Sequence, residues 1–501
     1  MRAVPVHFDR CSHREHIGMA CAALVWILGA VATAPAAAAP LVLEECRLQS
    51  GSGSVAARCG TFEVPENRAM PDGPRVSLHV AVVPALRTEA EPDALFVLSG
   101  GPGQAASDFY VAMAHAFARI RRDRDIVVLD QRGTGRSNKL SCPLPDDAAL
   151  IEVDSSRIQG YTKDCLASLS GDPRFYTTSV AVRDLEDIRA ALGYEQIDLY
   201  GVSYGTRVAQ HYLKRYPARV RAMVLDGVVP PELALGPHIP LEAQRALDAI
   251  FGRCAASAAC NEAFPSLREE FAALRRRLQQ SPMEITLADP LTAAPLEVRL
   301  SSAELSSAVR LLSYSDEAAS TLPLLIHEAQ VVGRPQALAA QYEIIKRDMQ
   351  DQLAYGMHFS VVCSEDAPRW TGEEVSAEAL EATYIGADFM AVMSAICEVW
   401  PRGPVDEDFS EPARSDVPVL VLSGENDPVT PRAYGAEILR GLPNSLHLVL
   451  SGQGHGQLAV GCVPRIVARF ISTASIDGLG EECVKSVRPM PFMISSTGPA
   501  P

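Results

Sequence analysis

Three residues of the sequence have the types and settings needed for acyl transfer to a serine. Ser203 lies in the pentapeptide Gly-Val-Ser-Tyr-Gly at 201–205, and Asp427 and His455 follow it along the chain. A serine hydroxyl becomes a good nucleophile when an imidazole removes its proton, and the imidazole needs a carboxylate that fixes its tautomer. The sequence therefore predicts a catalytic triad in which Ser203 is the nucleophile, His455 the general base and Asp427 the orienting acid.

The pentapeptide is predicted to form a sharp turn between a strand and a helix. The mostly apolar residues 197–200 precede it, and residues 206–213 continue it with helical spacing. The flanking glycines suit such a turn because a Cβ at either position would clash with the neighbouring strand and helix. We therefore expect the Ser203 hydroxyl to be presented at the carboxyl end of its strand, where a substrate can reach it.

The acid and the base are each predicted to follow a strand of their own. An apolar run at 417–422 leads into a turn-rich loop that contains Asp427, and a shorter run at 446–450 leads into a glycine-rich loop around His455. Glu425 remains an alternative to Asp427 as the acid, and a plain turn residue remains the structural alternative for Asp427 itself. The order Ser, Asp, His is that of hydrolases whose nucleophile lies on a strand-to-helix turn.

The charge that develops on the attacked carbonyl oxygen requires hydrogen-bond donors that are already in place. One predicted donor is the backbone amide of Tyr204, directly after the nucleophile. The other is the amide of Gly101, in the glycine-rich loop 99–103 that follows the apolar run 94–98. A plain glycine turn is the alternative for this loop.

Five motifs together resemble the proline iminopeptidase and tripeptidyl aminopeptidase family of α/β-hydrolases. They are the loop 99–103, the sequence Asp-Gln-Arg-Gly-Thr-Gly-Arg-Ser at 130–137, the pentapeptide 201–205, and the loops 424–431 and 452–456. The resemblance implies an α/β-hydrolase fold and an exopeptidase that removes residues from free peptide amino termini. For Asp130 and Arg132 in the second motif, we favour a role in bracing the loop beside the nucleophile over direct substrate contact.

An aminopeptidase must recognise a free α-ammonium group, and the resemblance implies that acids between the two halves of the fold do so. Glu365 and Asp366 are our candidates, because a disulfide at Cys363 would hold the adjacent acid in place. A charge-assisted hydrogen bond to the ammonium would contribute about 1.5 to 3 kcal/mol. The alternative is a pair of surface acids that caps a helix.

The amino terminus has the pattern of an export signal. Basic and histidine-containing residues up to His16 precede an apolar stretch at 19–32, and small residues at 36–39 suit a signal peptidase. The apolar stretch is shorter than the ~20 residues of a membrane span. We therefore expect residues 1–39 to be a signal peptide, the chain to have no membrane span, and the mature protein to be periplasmic or secreted. An uncleaved anchor is the alternative.

Cysteine usage agrees with export to an oxidising compartment. Two of the 12 cysteines fall in residues 1–39, which leaves an even number in the mature chain. Pairing of sequence neighbours would join Cys46 with Cys59, Cys142 with Cys165, Cys254 with Cys260, Cys363 with Cys397, and Cys462 with Cys483, although sequence alone does not fix the connectivity. Because no pair has Cys-x-x-Cys spacing, we expect no metal site and no cofactor.

The pattern of predicted elements divides the chain into an α/β core with an insertion. Strands and helices alternate within residues 40–230 and resume within residues 413–485, which predicts a mostly parallel, doubly wound sheet. The pattern at 231–412 is mainly helical, as at 267–278, where the apolar residues keep to one helical face. We expect this inserted segment to form a lid over the active site, and residues 486–501 to form a tail.

The formal net charge of −16 disfavours binding to nucleic acid, because most of the surface would repel the phosphates. The predicted partner is therefore a peptide or small ester substrate, and oligomeric state is not predicted. Three functions remain open: an exported aminopeptidase, a carboxylesterase acting on small acyl esters, and a catalytically silent ligand-binding member of the fold. The third is the weakest, because all the triad residues are present.

Overall fold

The computed structural model describes residues 41–142, 154–370 and 375–499. Within these residues, a nine-stranded mixed sheet supports the candidate site. Its strands are β1 (Glu44–Ser50), β2 (Gly53–Pro65), β3 (Arg75–Val83), β4 (Ala94–Leu98), β5 (Ile126–Leu129), β6 (Ile197–Val202), β7 (Val220–Asp226), β10 (Val419–Gly424) and β11 (Ser445–Leu450), while β8 (Met283–Ala288) and β9 (Pro295–Leu300) form a separate two-stranded sheet. Along the sheet the order is β1-β2-β3-β5-β4-β6-β7-β10-β11. Strands β5, β4, β6, β7, β10 and β11 run parallel to one another. Strands β1, β2 and β3 form an antiparallel edge beside β5. The mostly parallel sheet is as predicted, whereas the hairpin of β1 and β2 was not predicted.

Helices cover both faces of this sheet. The described α-helices are α1 (Ala106–Phe117), α2 (Ser155–Ser168), α3 (Thr178–Leu192), α4 (Tyr204–Arg215), α5 (Ile239–Ala256), α6 (Ala258–Ala263), α7 (Leu267–Gln280), α8 (Ser302–Leu312), α9 (Asp316–Ala319), α10 (Leu322–His327), α11 (Gln336–Gln352), α12 (Tyr355–Val361), α13 (Ala377–Glu381), α14 (Asp388–Val399), α15 (Arg432–Ile438) and α16 (Val463–Thr473). On one face, α3 and α4 contribute Leu185 and Val208 to an apolar core; on the other, α1 and α16 contribute Phe117 and Phe470. The central strands are continuously apolar because successive side chains enter opposite cores. The doubly wound α/β architecture is confirmed.

The inserted segment 231–412 has an apolar core of its own. Helix α7 buries Leu267, Phe271, Leu274 and Leu278, the face predicted from the sequence, in a cluster with residues of α5, α8 and α10. The segment also contains the antiparallel hairpin of β8 and β9, which was not predicted. In each strand of this hairpin, buried apolar residues alternate with exposed residues over a length of six residues. An alternating pattern this short is difficult to recognise in a sequence between long helices.

The expected tail at 486–501 is packed against the protein over part of its length. Phe492 is buried in the core of the inserted segment, and the Arg253 guanidinium lies 4.3 Å from its ring centre. The Met493 amide donates a hydrogen bond to the Ser320 carbonyl at 3.0 Å. The apolar residues near the end of the chain therefore complete a core that sequence neighbours do not reveal.

Five disulfides in the described residues match the pairing of sequence neighbours. They join Cys46 with Cys59, Cys142 with Cys165, Cys254 with Cys260, Cys363 with Cys397, and Cys462 with Cys483. Residues 1–39, where a signal peptide is predicted, lie outside the described residues. Within the described ranges, no helix has the length and apolarity of a membrane span, and no three His, Cys, Asp or Glu side chains are grouped to hold a metal ion.

Candidate active site

A strained backbone turn presents Ser203 between β6 and α4. Its φ of 55° and ψ of −125° lie outside the regions that L-residues favour, and such strain costs about 1 to 3 kcal/mol. Gly205 makes the turn possible, because a Cβ there would lie 2.2 Å from the Leu98 carbonyl oxygen. The Ser203 amide donates to the Asp226 carbonyl at 2.9 Å, which fixes the turn to the end of β7. The strand-to-helix turn has the predicted form.

Asp427 and His455 meet beyond the carboxyl ends of β10 and β11. Asp427 Oδ2 lies 2.8 Å from His455 Nδ1, and the carboxylate is fully buried. Its other oxygen, Oδ1, accepts hydrogen bonds from the Val429 and Thr430 amides at 2.8 Å each. A carboxylate held in this way accepts the Nδ1 proton of the imidazole and leaves Nε2 free to act as the base.

Glu425, the alternative acid, does not contact His455. Its carboxylate accepts hydrogen bonds from the Ser451 hydroxyl at 2.8 Å and from the Gly452 amide at 3.0 Å. These contacts stabilise the loop that leads to the histidine. Of the two acids, Asp427 is therefore the one that can orient the imidazole.

Ser203 and His455 both contact the carboxyl end of β7, at Asp226 and Gly227. The Ser203 amide is bonded to Asp226, and a Cβ built on the next residue, Gly227, would lie 3.0 Å from His455 Cε1. Among the residues that the structure describes, no hydrogen bond within 3.5 Å joins the serine hydroxyl to the imidazole. Catalytic bonds of this kind are often long before substrate binds, so proton transfer requires a closer approach of the two side chains.

The pKa of His455 is raised above its ordinary value of 6.5. Burial by itself would lower this pKa, but the charge of Asp427 and the hydrogen bond to it outweigh burial, and the charge of Asp226 adds to the effect. A raised pKa makes the imidazole a stronger base, which suits the removal of a hydroxyl proton. The neutral form that accepts the proton dominates only above this raised pKa.

The predicted oxyanion loop lies against the nucleophile. A Cβ built on Gly100 would lie 3.0 Å from Ser203 Cβ and 3.5 Å from Ser203 Oγ. The next residue, Gly101, has a φ of 105°, a conformation that favours glycine. Tyr204 is the first residue of α4, so its amide has no acceptor within the helix. Tyr204 thus directly follows the serine and Gly101 follows the glycine that lies against it, and the Gly101 and Tyr204 amides remain the predicted oxyanion donors.

A stretch of the inserted segment packs on the same loop. The Ala354 amide donates to the Gly103 carbonyl at 3.0 Å, and His358 Nδ1 donates to the Pro102 carbonyl at 3.2 Å. The shape of the oxyanion loop therefore depends on residues contributed by the insertion.

Asp130 and Arg132 are fully buried and bonded within the core. Asp130 accepts hydrogen bonds from the amides of Ser107 at 2.9 Å and Arg136 at 3.1 Å. Arg132 Nη2 lies 2.7 Å from a carboxylate oxygen of Asp184. These internal contacts agree with the bracing role that the sequence favoured over substrate contact.

Glu365 and Asp366 are both buried, and their oxygens have internal donors. Glu365 accepts hydrogen bonds from the Thr178 amide at 2.6 Å and from the Thr178 hydroxyl at 2.9 Å. Asp366 lies 3.0 Å from Arg207 Nη1 and accepts from the Leu235 amide at 2.9 Å. The alternative of a surface acid pair is therefore wrong.

A short chain of hydroxyl groups connects Glu365 to the turn at the nucleophile. The Thr178 hydroxyl that donates to Glu365 lies 2.6 Å from Tyr204 Oη, and Tyr204 directly follows Ser203. Burial raises the pKa of Glu365 to about 8, although the nearby charge of Arg207 lowers it. A further cation beside this carboxyl group would stabilise its ionised form.

Two residues beside His455 were not predicted. Asp226 accepts hydrogen bonds from the Gln457 amide at 2.8 Å and the Leu458 amide at 2.9 Å, and so holds the histidine loop. The Tyr314 carbonyl accepts from the His455 amide at 2.6 Å, and the two rings lie 5.2 Å apart. An acid at the end of an apolar run is a signal that could have identified Asp226. Tyr314 has no such signal, because its contact joins distant parts of the chain.

Comparison with known proteins relates these features to a family. The model of the alpha/beta hydrolase fold family matches residues 93–461. The serine protease Hip1 of Mycobacterium tuberculosis is 27% identical over 470 residues, which cover 85% of this chain and 87% of that protein. Carboxylesterase B of the same organism is 28% identical over 477 residues, 85% of this chain and 86% of that protein. The tripeptidyl aminopeptidase of Streptomyces lividans is 31% identical over 219 residues, 40% of this chain and 41% of that protein.

The family match spans Ser203, Asp427 and His455 together with the strands that precede them. Two relatives that align over most of this chain are named for a protease and an esterase. The reaction class is therefore common to them, while the substrate differs.

Proposed function

Because the chain belongs to the alpha/beta hydrolase fold family and is a serine hydrolase, we propose that it is an exported aminopeptidase that releases residues or short peptides from free peptide amino termini. In this proposal Ser203 attacks the carbonyl carbon of the scissile peptide bond while His455 Nε2 takes the hydroxyl proton. The oxyanion accepts hydrogen bonds from the Gly101 and Tyr204 amides. His455 then protonates the leaving amine, and water hydrolyses the acyl-enzyme with His455 again as the base.

The position of Glu365 is the observation that carries the aminopeptidase proposal. Its buried carboxyl group lies one hydroxyl away from Tyr204, the residue after the nucleophile. Burial raises the pKa of Glu365 to about 8, and an ammonium ion bound there would lower this pKa by stabilising the ionised carboxylate, so that the two groups would form an ion pair. A carboxylate oxygen that already accepts one hydrogen bond has a second lone pair for the ammonium.

Asp366 has a supporting role in this proposal. Both of its oxygens lie within 3.2 Å of Arg207 Nη1, and this guanidinium also lies 3.9 Å from Glu365. Because Arg207 lies closer to Asp366 than to Glu365, its positive charge mainly stabilises the Asp366 carboxylate. Glu365 is then the acid whose ionised form lacks a close cation, and we assign it the direct contact with the substrate amine.

The inserted segment supports the lid part of the proposal. Its residues Tyr314 and Ala354 bond to the histidine loop and to the oxyanion loop. The five disulfides support export, because such bonds persist in oxidising compartments. We propose on these grounds that residues 1–39 are a signal peptide and that residues 231–412 form the lid.

The decisive experiment compares one peptide arylamide with a free amino terminus and with an acetylated amino terminus. We expect the wild type to prefer the free amine in kcat/KM by roughly 10- to 150-fold, the range of a charge-assisted hydrogen bond. Glu365→Gln should remove most of this preference, because the amide keeps the shape of the side chain and loses its charge. Glu381→Gln, an exposed glutamate of the same inserted segment, is the matched control and should retain the preference.

A wild type that cleaves both arylamides equally would refute the aminopeptidase proposal. Equal losses on both substrates in Glu365→Gln would remove Glu365 from the amine site.

A carboxylesterase is the second candidate, and the alignment with carboxylesterase B over 85% of this chain favours it. The same triad hydrolyses esters, so the substrate pocket decides between the two activities. Rapid hydrolysis of a short acyl ester together with negligible cleavage of either arylamide would favour the esterase. The catalytically silent alternative is set aside, because the chain is a serine hydrolase of an enzyme family.

A further inference from the structure

Arg310, on α8 of the inserted segment, has no anionic partner among the described residues. Its Nη2 donates to Tyr314 Oη at 3.1 Å, and the guanidinium carbon lies 5.7 Å from the centre of that ring. Its Nε is buried and has no hydrogen-bond partner in the part of the chain that the structure describes. The guanidinium therefore presents an edge with an unused buried donor.

Arg310 is partly buried, and two other arginines of the described chain with a buried, unpaired Nε, Arg253 and Arg207, differ from it in the acceptors of their remaining nitrogens. Arg253 lies 2.8 Å from the Asp316 carboxylate, and Arg207 lies 3.0 Å from Asp366. Among the described residues, the Arg310 side chain has a neutral phenol as its acceptor and no carboxylate within 4.0 Å. Removing part of a guanidinium from water without a compensating anion is unfavourable, and the partly exposed remainder of Arg310 leaves room for an anion supplied from outside the chain.

The neighbours of Arg310 place it beside the catalytic histidine. The Tyr314 hydroxyl accepts the hydrogen bond from Arg310, and the Tyr314 ring packs edge-to-face on His455 with 5.2 Å between the ring centres. Burial lowers the pKa of His358, and the charge of Arg310 lowers it further. Because His358 is bonded to the oxyanion loop, Arg310 lies within electrostatic range of both sides of the reaction centre.

A second unused donor lies close by. Tyr384 Oη is buried and has no hydrogen-bond partner within residues 41–142, 154–370 and 375–499. The Tyr384 carbonyl accepts from Ser306 Oγ at 2.9 Å, and Ser306 lies one helical turn before Arg310 on α8. Arg310 and Tyr384 thus provide two unsatisfied donors on parts of the described chain that α8 brings together.

We propose that Arg310, with Tyr314 and Tyr384, binds a carboxylate of the substrate. The proposal rests on the proposed peptidase activity and names the substrate class, which is an anionic peptide. The planar edge of a guanidinium matches the two oxygens of a carboxylate. In a protein with a net charge of −16, an anionic substrate also needs a local cation to approach the site.

The carboxylate can belong to the free carboxyl terminus of a short peptide or to an acidic side chain, and the experiment separates these two sources. The first arm compares one free-amine peptide as its carboxyl-terminal acid and as its amide. The second arm compares Asp with Asn at each position of a carboxyl-amidated peptide. Products are quantified by chromatography, and we expect the wild type to prefer the anionic member of at least one pair by roughly 10- to 150-fold in kcat/KM.

The preference for the anionic peptide should depend on Arg310. Arg310→Met should reduce the ratio of kcat/KM for the anionic and the neutral peptide to near one. Arg310→Lys should retain part of this ratio because the positive charge is kept. Arg276→Met, an exposed arginine of the same segment, is the matched control and should retain the full ratio. Thermal unfolding and fluorophosphonate labelling of Ser203 verify that each variant is folded.

Two outcomes overturn the proposal: a wild-type ratio near one in both arms, or an anionic preference that Arg310→Met leaves intact. If Arg310→Met does not fold, the wild-type ratio and the Arg310→Lys variant decide. Each peptide is also assayed with an acetylated amino terminus, which keeps this test separate from the proposed function. If the wild type shows no preference for the free amine over the acetylated peptide, the result counts against an aminopeptidase. If it shows no preference for the anionic peptide over the neutral one, the result counts against the role of Arg310. If peptides are not cleaved, the same comparison is made with a hemisuccinate ester and a butyrate ester.

Discussion

Replacement of Asp427 by Asn tests the triad most sharply, because the structure determines which way the new amide must face. Oδ1 accepts two backbone hydrogen bonds, from Val429 and Thr430, so the amide oxygen should take that position. The reverse orientation would leave both buried amides unpaired, at about 1 to 3 kcal/mol each. The resulting difference of about 2 to 6 kcal/mol corresponds to a preference of at least roughly 30-fold.

The preferred orientation puts an NH2 group where Asp427 Oδ2 meets His455 Nδ1 at 2.8 Å. The imidazole must then accept at Nδ1 and carry its proton on Nε2, which is the wrong tautomer for a base. We expect kcat to fall on the order of 10⁴-fold with little change in fold. Glu425→Gln is the matched control, because Glu425 lies in the same loop and holds Ser451 and Gly452 instead of the histidine.

Initial rates on the arylamide, with active sites counted by fluorophosphonate labelling, measure this loss. Ser203→Ala sets the background and should abolish labelling. Retention of more than a tenth of wild-type kcat in Asp427→Asn would refute the assignment of the acid. A loss of comparable size in Glu425→Gln would show that the loop, and not the Asp427 carboxylate, accounts for the effect.

Three further predictions follow from the contacts around the site. The pKa of His455 is raised, so wild-type kcat/KM should increase with pH and reach half its plateau above pH 6.5; a half-point at or below 6.5 would contradict this. Asp226→Asn should move that half-point to lower pH by removing a charge that raises the pKa of His455, and an unchanged profile would exclude the coupling. Joint replacement of Cys363 and Cys397 by Ala should lower the free energy of unfolding by about 2 to 5 kcal/mol in urea titrations, whereas equal stability would show that the disulfide does not constrain this region.

Local patterns predicted the elements that carry the triad. The turn at Ser203 and the loops of Asp427 and His455 each follow a short apolar run, and parallel strands bring their carboxyl ends to one edge of the sheet. The α7 face was predictable because a solvent-exposed helix shows its buried side as a repeat of apolar residues. The disulfides followed from the spacing of the cysteines, although other pairings were open.

Elements without a strong period could not be predicted in the same way. The β1–β2 hairpin is half exposed, and its strands alternate among small, polar and apolar residues. The position of Phe492 depends on a core assembled from helices far away in sequence. The burial of Glu365 beside Thr178 likewise requires the insertion to fold back on α3, and no pattern at either residue records that contact.

The contacts of the inserted segment join it to the loops that carry the predicted catalytic residues. Tyr314 bonds to the His455 amide, Ala354 bonds to the oxyanion loop at Gly103, and Glu365 bonds to Thr178 behind the nucleophile turn. A cover that opened as one body would break all three contacts and so disturb the base and the oxyanion loop together. The three contacts therefore couple the inserted segment to the loops that hold the predicted base and the predicted oxyanion donors. A substitution at any one of them should change the position of those loops, while β10, β11 and the turn after β6 continue to place Asp427, His455 and Ser203 at one edge of the sheet.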